Sequence, residues 1–158
     1  MDSQVKILID RSDNELFLTS RIKMLTEDVK IKEMLAIPKN KTFYSSVISH
    51  AYYAIFYSAK AMLLSKGIKT SSPDIHKKTF ESFRKEFVDT GILDVKLLEI
   101  YQRLVVRADS LLEIFKGEKW KRGNFTYSTI PQANKEPAED SIKNAKIFVS
   151  NIMKVLEK

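Results

Sequence analysis

The chain has 158 residues, a formal net charge of +7 and no cysteine; that length fits one ordinary hydrophobic core, and without thiolates a disulfide framework or a cysteine-ligated metal site is excluded. Hydrophobic residues at 44% against charged residues at 30% belong to a chain that folds, not to a disordered one. The opening residues lack a basic stretch followed by a long apolar run, and no segment approaches about 18 uncharged apolar residues, so a soluble, cytoplasmic protein without a membrane span is expected.

Four glycines and four prolines are too few for many short strands and tight turns, which favours long helices. Five are predicted, at 13–37, 41–66, 73–90, 94–116 and 136–157, as an all-α antiparallel bundle in a single domain over 1–158. In the first, Leu18, Ile22, Leu25 and Val29, with Met34 and Leu35 beyond, keep helical spacing until Pro38. The second is apolar on nearly every face, through Phe43, Val47, Ile48, Ala51, Ala54, Ile55, Phe56, Ala59 and Met62, and so must be central. Gly67 is its C-terminal stop signal.

Ser72 as N-cap and Pro73 at the first helical position open the third helix, where Phe80, Phe83 and Phe87 mark one face before Gly91 ends it. The fourth carries the cleanest stripe: Leu97, Leu98, Tyr101, Leu104, Val105, Ala108 and Leu111. The segment 117–134 reads as irregular, and the last helix resumes the period at Ala138, Ile142, Ala145, Val149 and Ile152 with Pro137 in its first turn.

Several chemistries are excluded at this level. The only histidines, His50 and His76, have Val47 and Pro73 three positions before them, so the Glu-x-x-His pairs of a carboxylate-bridged metal centre are absent. Gly67, Gly91, Gly117 and Gly123 are scattered and form no phosphate-cradling loop, and no serine has the flanking glycines of a nucleophile elbow. Neither a metal nor a cofactor is expected.

The stretch Ser49-His50-Ala51-Tyr52-Tyr53-Ala54-Ile55-Phe56-Tyr57-Ser58-Ala59-Lys60 resembles the signature of HEPN domains. His76, the block Phe87 to Leu93, Arg107-Ala108-Asp109, and Ala138 to Phe148 resemble that family's later blocks in the right order, so the similarity runs from about Phe17 to Leu156. The resemblance implies an antiparallel helical bundle, commonly a homodimer, often encoded beside a small nucleotidyltransferase as a toxin and antitoxin pair, and linked to RNA cleavage or binding. In active ribonucleases of that family the chemistry is attributed to an Arg followed, after four to six intervening residues, by a His. Arg107 matches the arginine and is the best candidate for a catalytic residue, but Leu112, Glu113 and Ile114 stand where the histidine should be. The histidine suits either proton-transfer role because it titrates near neutrality; a glutamate does not.

At about 100° per residue, Arg103 and Arg107 fall on one flank of the fourth helix's stripe and Asp109 on the other. Arg107 can line a polar groove and contact phosphate, or cover the core with its stem and bridge to another helix. The RNA-binding candidates are Arg103, Arg107, Lys119, Trp120, Lys121 and Arg122, the last four interleaving cations with an aromatic as single strands require; the alternative for them is a solvated loop with Trp120 tucked against the bundle. His50, Asp109, Tyr52 and Tyr53 are assigned structural polar roles, with catalysis at His50 or His76 as the alternative. The leading expectation is an RNA-associated toxin-type module without standard ribonuclease chemistry. Its rivals are a non-catalytic protein-interaction scaffold and a metal-independent endoribonuclease with a non-standard site.

Overall fold

The computed structural model describes residues 1–112 and 134–158. The described elements are all helical: α1 Ser3–Glu27, α2 Val29–Met34, α3 Tyr44–Ser65, α4 Ile75–Phe83 running on into a π-helical turn Arg84–Val88, α5 Val95–Leu112 and α6 Lys135–Leu156. The expected all-α bundle is thus observed, with α3 as its central rod, packed on α1, α4, α5 and α6.

That placement follows from composition. Ala51, Ala54, Ala59 and Ala61 on α3 are fully buried, and with only a methyl group each they let neighbouring backbones come close. The approach of α1 is near enough for Ser12 Oγ to donate to the Ala54 carbonyl at 2.7 Å, so a buried hydroxyl finds its acceptor inside the core. On the other side the aromatic residues interlock. Tyr101 of α5 meets Phe80, Phe83 and Phe148 edge-on at centroid distances of 5.0, 5.7 and 5.6 Å, the geometry that the ring quadrupoles favour.

The first predicted helix, 13–37, needs correction: it begins at Ser3 and is two helices, not one. The Asp2 carboxylate accepts from Gln4 N at 2.8 Å and starts α1. Asp28 adopts an extended backbone (φ −87°, ψ 111°) and its carboxylate accepts from Ile31 N at 3.1 Å, which ends α1 and caps α2. The buried face also differs from the apolar stripe expected. Val5, Ile9, Ser12, Thr19 and Thr26 face inward, whereas Leu18, Val29, Met34 and Leu35 are exposed, Met34 at 80%. Three hydroxyl side chains on the inner face hide it from a search for apolar periodicity.

The start of α4 is corrected too. Asp74, not Ser72, is the N-cap, with φ 60° in the left-handed region, and the helix begins at Ile75, leaving the cis Ser72-Pro73 pair outside it. A residue at that φ cannot lie within a right-handed helix. Gly67 behaves as its position implies: at φ 76° it lets its own N–H donate to Leu64 O (2.8 Å) and that of Ile68 to Leu63 O (3.0 Å), the paired bonds of a Schellman end. Pro137 sits in the first turn of α6 as expected, where its missing N–H costs no helical bond.

Candidate functional site

On α5 the buried stripe turns Arg103 and Arg107 toward the N-terminal turns of α6. Arg107 Nη1 donates to Asp140 Oδ2 at 2.7 Å, to Ser141 Oγ at 3.0 Å and to the Pro137 carbonyl at 3.4 Å. Ser141 is itself buried and donates to that carbonyl at 2.7 Å. Arg103 Nη1 stands 3.6 Å from the same Asp140 oxygen, with its side chain 53% exposed against 19% for Arg107. Arg107 thus bridges α5 to α6, and Arg103 is the more exposed of the two arginines.

Asp109, on the opposite flank, is buried. Glu113 and Ile114, two of the three positions at which a motif histidine would fall, and the predicted contacts Lys119, Trp120, Lys121 and Arg122, lie outside the described residues. The structure therefore brings Arg103 and Arg107 together and assembles neither with a histidine: the described ion-pair and hydrogen-bond partners of Arg107 are all on α6.

The histidines belong to a second assembly. His50, Tyr53, Tyr57 and Lys60 follow one another at spacings of three and four along α3, so they share a face, and all four are half-buried. From α1, Glu15 Oε2 pairs with His50 Nδ1, and the Arg11 guanidinium lies over the Tyr57 ring at 5.1 Å. From the first turn of α4 comes His76, its Nδ1 2.7 Å from the hydroxyl of fully buried Tyr52. Its ring is 4.5 Å from that of Phe56 and 6.2 Å from that of Tyr53. Lys60 completes the row, its ammonium 5.7 Å from the Phe56 ring centre.

Burial and charge tune this ribbon. His76 is pushed down to about 4, first by burial and then by the charge of Lys60, so its imidazole is neutral at neutral pH. The Lys60 ammonium is lowered by burial and by Arg11, and the Tyr53 phenol is raised by burial, then by Tyr57 and Glu15. Sequence reasoning treated Tyr52 and Tyr53 alike as structural residues. The structure separates them, since Tyr52 points into the core while Tyr53 opens onto the ribbon. The signal that could have found it was the three-and-four spacing of His50, Tyr53, Tyr57 and Lys60.

A third feature is an open groove of about 640 Å³ between α1 and α6, with Met24 and Ile142 as apolar lining and Lys23, Glu27, Glu139 and Lys143 among its polar residues. Lys23 spans it, pairing with Glu27 at 2.8 Å and Glu139 at 3.3 Å. Among the described residues no group of three or more His, Asp or Glu is placed to hold a metal ion, and no helix is long and apolar enough to cross a membrane.

Comparison with known proteins gives the kinship. The family model of the HEPN domain matches residues 36–156. A Methanocaldococcus jannaschii protein named "Putative toxin MJ0605" is 34% identical over 114 residues, 72% of each chain. A Thermotoga maritima "UPF0332 protein" is 31% identical over 119 residues, 75% of this chain and 76% of that one. A second M. jannaschii protein, "Putative toxin MJ0142", is 38% identical over 84 residues, 50% of this chain and 55% of its own. No solved structure is significantly similar.

Proposed function

The chain belongs to the HEPN domain family, and on that premise we propose that it is an RNA-associated, toxin-type module that works without the family's Arg and His ribonuclease chemistry. In this reading it acts as a homodimer whose counterpart is a small nucleotidyltransferase. The observation that carries it is the engagement of Arg107. Its inward-facing nitrogen is committed to Asp140, Ser141 and Pro137 of α6, while His50 and His76 are engaged by Glu15 and Tyr52. An arginine so held ties two helices together, and among the described residues no histidine is a partner of it. The printed names of two relatives as putative toxins support the toxin-type half of the reading, and the +7 charge supports association with an anionic target. In this reading Arg103, exposed at the edge of α5, contacts phosphate together with Lys119, Trp120, Lys121 and Arg122.

The test is binding of nuclease-treated full-length protein to labelled single-stranded RNA at about 50 mM and about 200 mM salt. Binding that weakens tenfold or more across that range is expected, because neutralised phosphates release counterions. Absence of binding at the lower salt overturns the RNA reading. RNA cleavage by the wild type that vanishes in Arg107→Ala overturns the non-ribonuclease half.

A protein-interaction scaffold is the second reading, favoured by the α1 and α6 groove, whose apolar lining and mixed charges suit a protein surface better than a polyanion. A stoichiometric protein partner that survives nuclease and high-salt washes, from a protein that ignores RNA, would decide for it.

A further inference from the structure

We infer that the exposed face of α1 carrying Lys6, Asp13, Phe17, Arg21 and Asp28 is an interface for a second copy of this chain, the two α1 helices lying antiparallel across a two-fold axis at Phe17. The inference deepens the homodimer of the reading above, which names no face, and rests on it. The family model matches residues 36–156, so the match itself assigns α1 no role.

The first support is spacing. Counting outward from Phe17, the stripe steps by four, three and four residues in each direction: to Asp13, Asp10 and Lys6 on one side, and to Arg21, Met24 and Asp28 on the other. Steps of three and four keep these residues on one helix face, and all of them are exposed. A pattern that reads the same in both directions from one residue is what a two-fold axis requires, because each contact must occur twice with the roles of the copies exchanged.

The second support is charge. In the antiparallel arrangement, residues equally far before and after Phe17 face one another across the two copies. Lys6 meets Asp28, Asp13 meets Arg21, and Asp10 falls beside Met24, which shares a groove with Lys143 and Lys146 of α6. A parallel pairing would instead set like against like. Among the described residues none of Lys6, Asp10, Asp13 and Arg21 has an ion-pair partner within its own chain. The groove's Glu27 and Glu139 are already engaged by Lys23, so they leave the two lysines of α6 uncompensated.

The third support is the apolar centre. Phe17 is 57% and Met24 42% exposed, large apolar side chains set in a row of charges. The Arg21 guanidinium lies over the Phe17 ring at 4.3 Å and donates to Ser20 Oγ at 3.3 Å, which holds it on the outer face of α1 with further donors for a carboxylate. Burial of Phe17 against its symmetry mate supplies attraction, while the exposed ion pairs, each worth little, set direction and register. A pair of helices buries less than a standard interface, so dissociation at about micromolar concentration or above is expected.

The test is sedimentation equilibrium of nuclease-treated full-length protein from about 1 µM to about 1 mM, with helix content checked by circular dichroism. The wild type is expected to dimerise. Asp13→Arg and Arg21→Asp each set like charges against each other, and each alone is expected to weaken the dimer about tenfold or more. An equimolar mixture of the two variants, in which every such contact again joins opposite charges, is expected to regain wild-type affinity as a heterodimer. Because the chain has no cysteine, Phe17→Cys places a single thiol at the axis and should cross-link on oxidation by diamide, whereas Ile7→Cys, at an exposed position off the stripe, should not. Charge variants that dimerise like the wild type, a mixture no tighter than its components, or cross-linking no faster at position 17 than at position 7 overturns this face, and a wild-type dimer then leaves the homodimer reading standing. A wild type that stays monomeric throughout overturns both.

Discussion

The hydroxyl of Tyr52, in the buried middle of α3, lies 2.7 Å from Nδ1 of His76 at the start of α4. A neutral imidazole can accept that O–H bond, and burial together with Lys60 keeps the ring neutral by pushing it down to about 4. Since an unfolded histidine titrates near about 6.5, the unfolded chain takes up a proton between these values while the native one does not. This contribution to stability is therefore complete above about pH 6.5 and is lost as the pH drops toward 4, by about 1–2 kcal/mol because solvent screens the half-buried ring, flattening below. Urea midpoints at a series of pH values check this. The slope between pH 4 and 6.5 should be shallower in His76→Asn than in the wild type, and equal slopes would refute it.

Arg107 and Asp140, 2.7 Å apart, should behave as one unit. Each single change, Arg107→Ala or Asp140→Ala, is expected to cost about 1–2 kcal/mol, and the double change less than their sum by about 1 kcal/mol. The part-exposure of both side chains keeps the value modest. Denaturant unfolding of the four proteins measures the coupling; strict additivity would mean that the clamp contributes nothing.

Lys32 is a nearly fully buried lysine whose Nζ donates to the carbonyls of Lys39 (2.9 Å) and Lys41 (2.6 Å). It staples the α2 to α3 connection. Lys32→Met should leave both acceptors short of a donor and cost about 1–3 kcal/mol. Limited proteolysis is the direct measurement, with cleavage between 36 and 43 expected to accelerate relative to the wild type.

At Gly67 an added Cβ would meet nothing within 4 Å, yet φ is 76°. Gly67→Ala is accordingly expected to cost about 1 kcal/mol through backbone conformation alone. Gly67→Asn should lose less, because asparagine tolerates the left-handed region. Thermal midpoints of the two variants rank them, and an alanine variant as stable as the parent would contradict the argument.

Much of the fold could be read before any coordinates. A helix with apolar residues on every side, as at Ala51 to Met62, has to be central, and the stripes of α5 and α6 announce their buried faces through spacing alone. The kinship was legible for a related reason, since the same α3 stretch combines small and aromatic residues in a recognisable order. Two places resisted. The inner face of α1 is lined by Ser12, Thr19 and Thr26, so its orientation depends on acceptors such as the Ala54 carbonyl that only the packed neighbour supplies. Asp28 separates α1 from α2, and Asp74 sets the start of α4, by adopting backbone angles that their residue type permits and does not require.

Sequence alone determined that the fold is a bundle of helices, which of them lies innermost, and that the motif arginine has no histidine at its usual spacing, because all three depend on residues near one another along the chain. Only the tertiary structure decided what Arg107 holds, which tyrosine of the Tyr52 and Tyr53 pair faces outward, and that Arg11 comes to lie over the Tyr57 ring. Those outcomes depend on residues far apart in the chain meeting across helix faces, and their energies arise from desolvation and charge at distances that no linear spacing encodes.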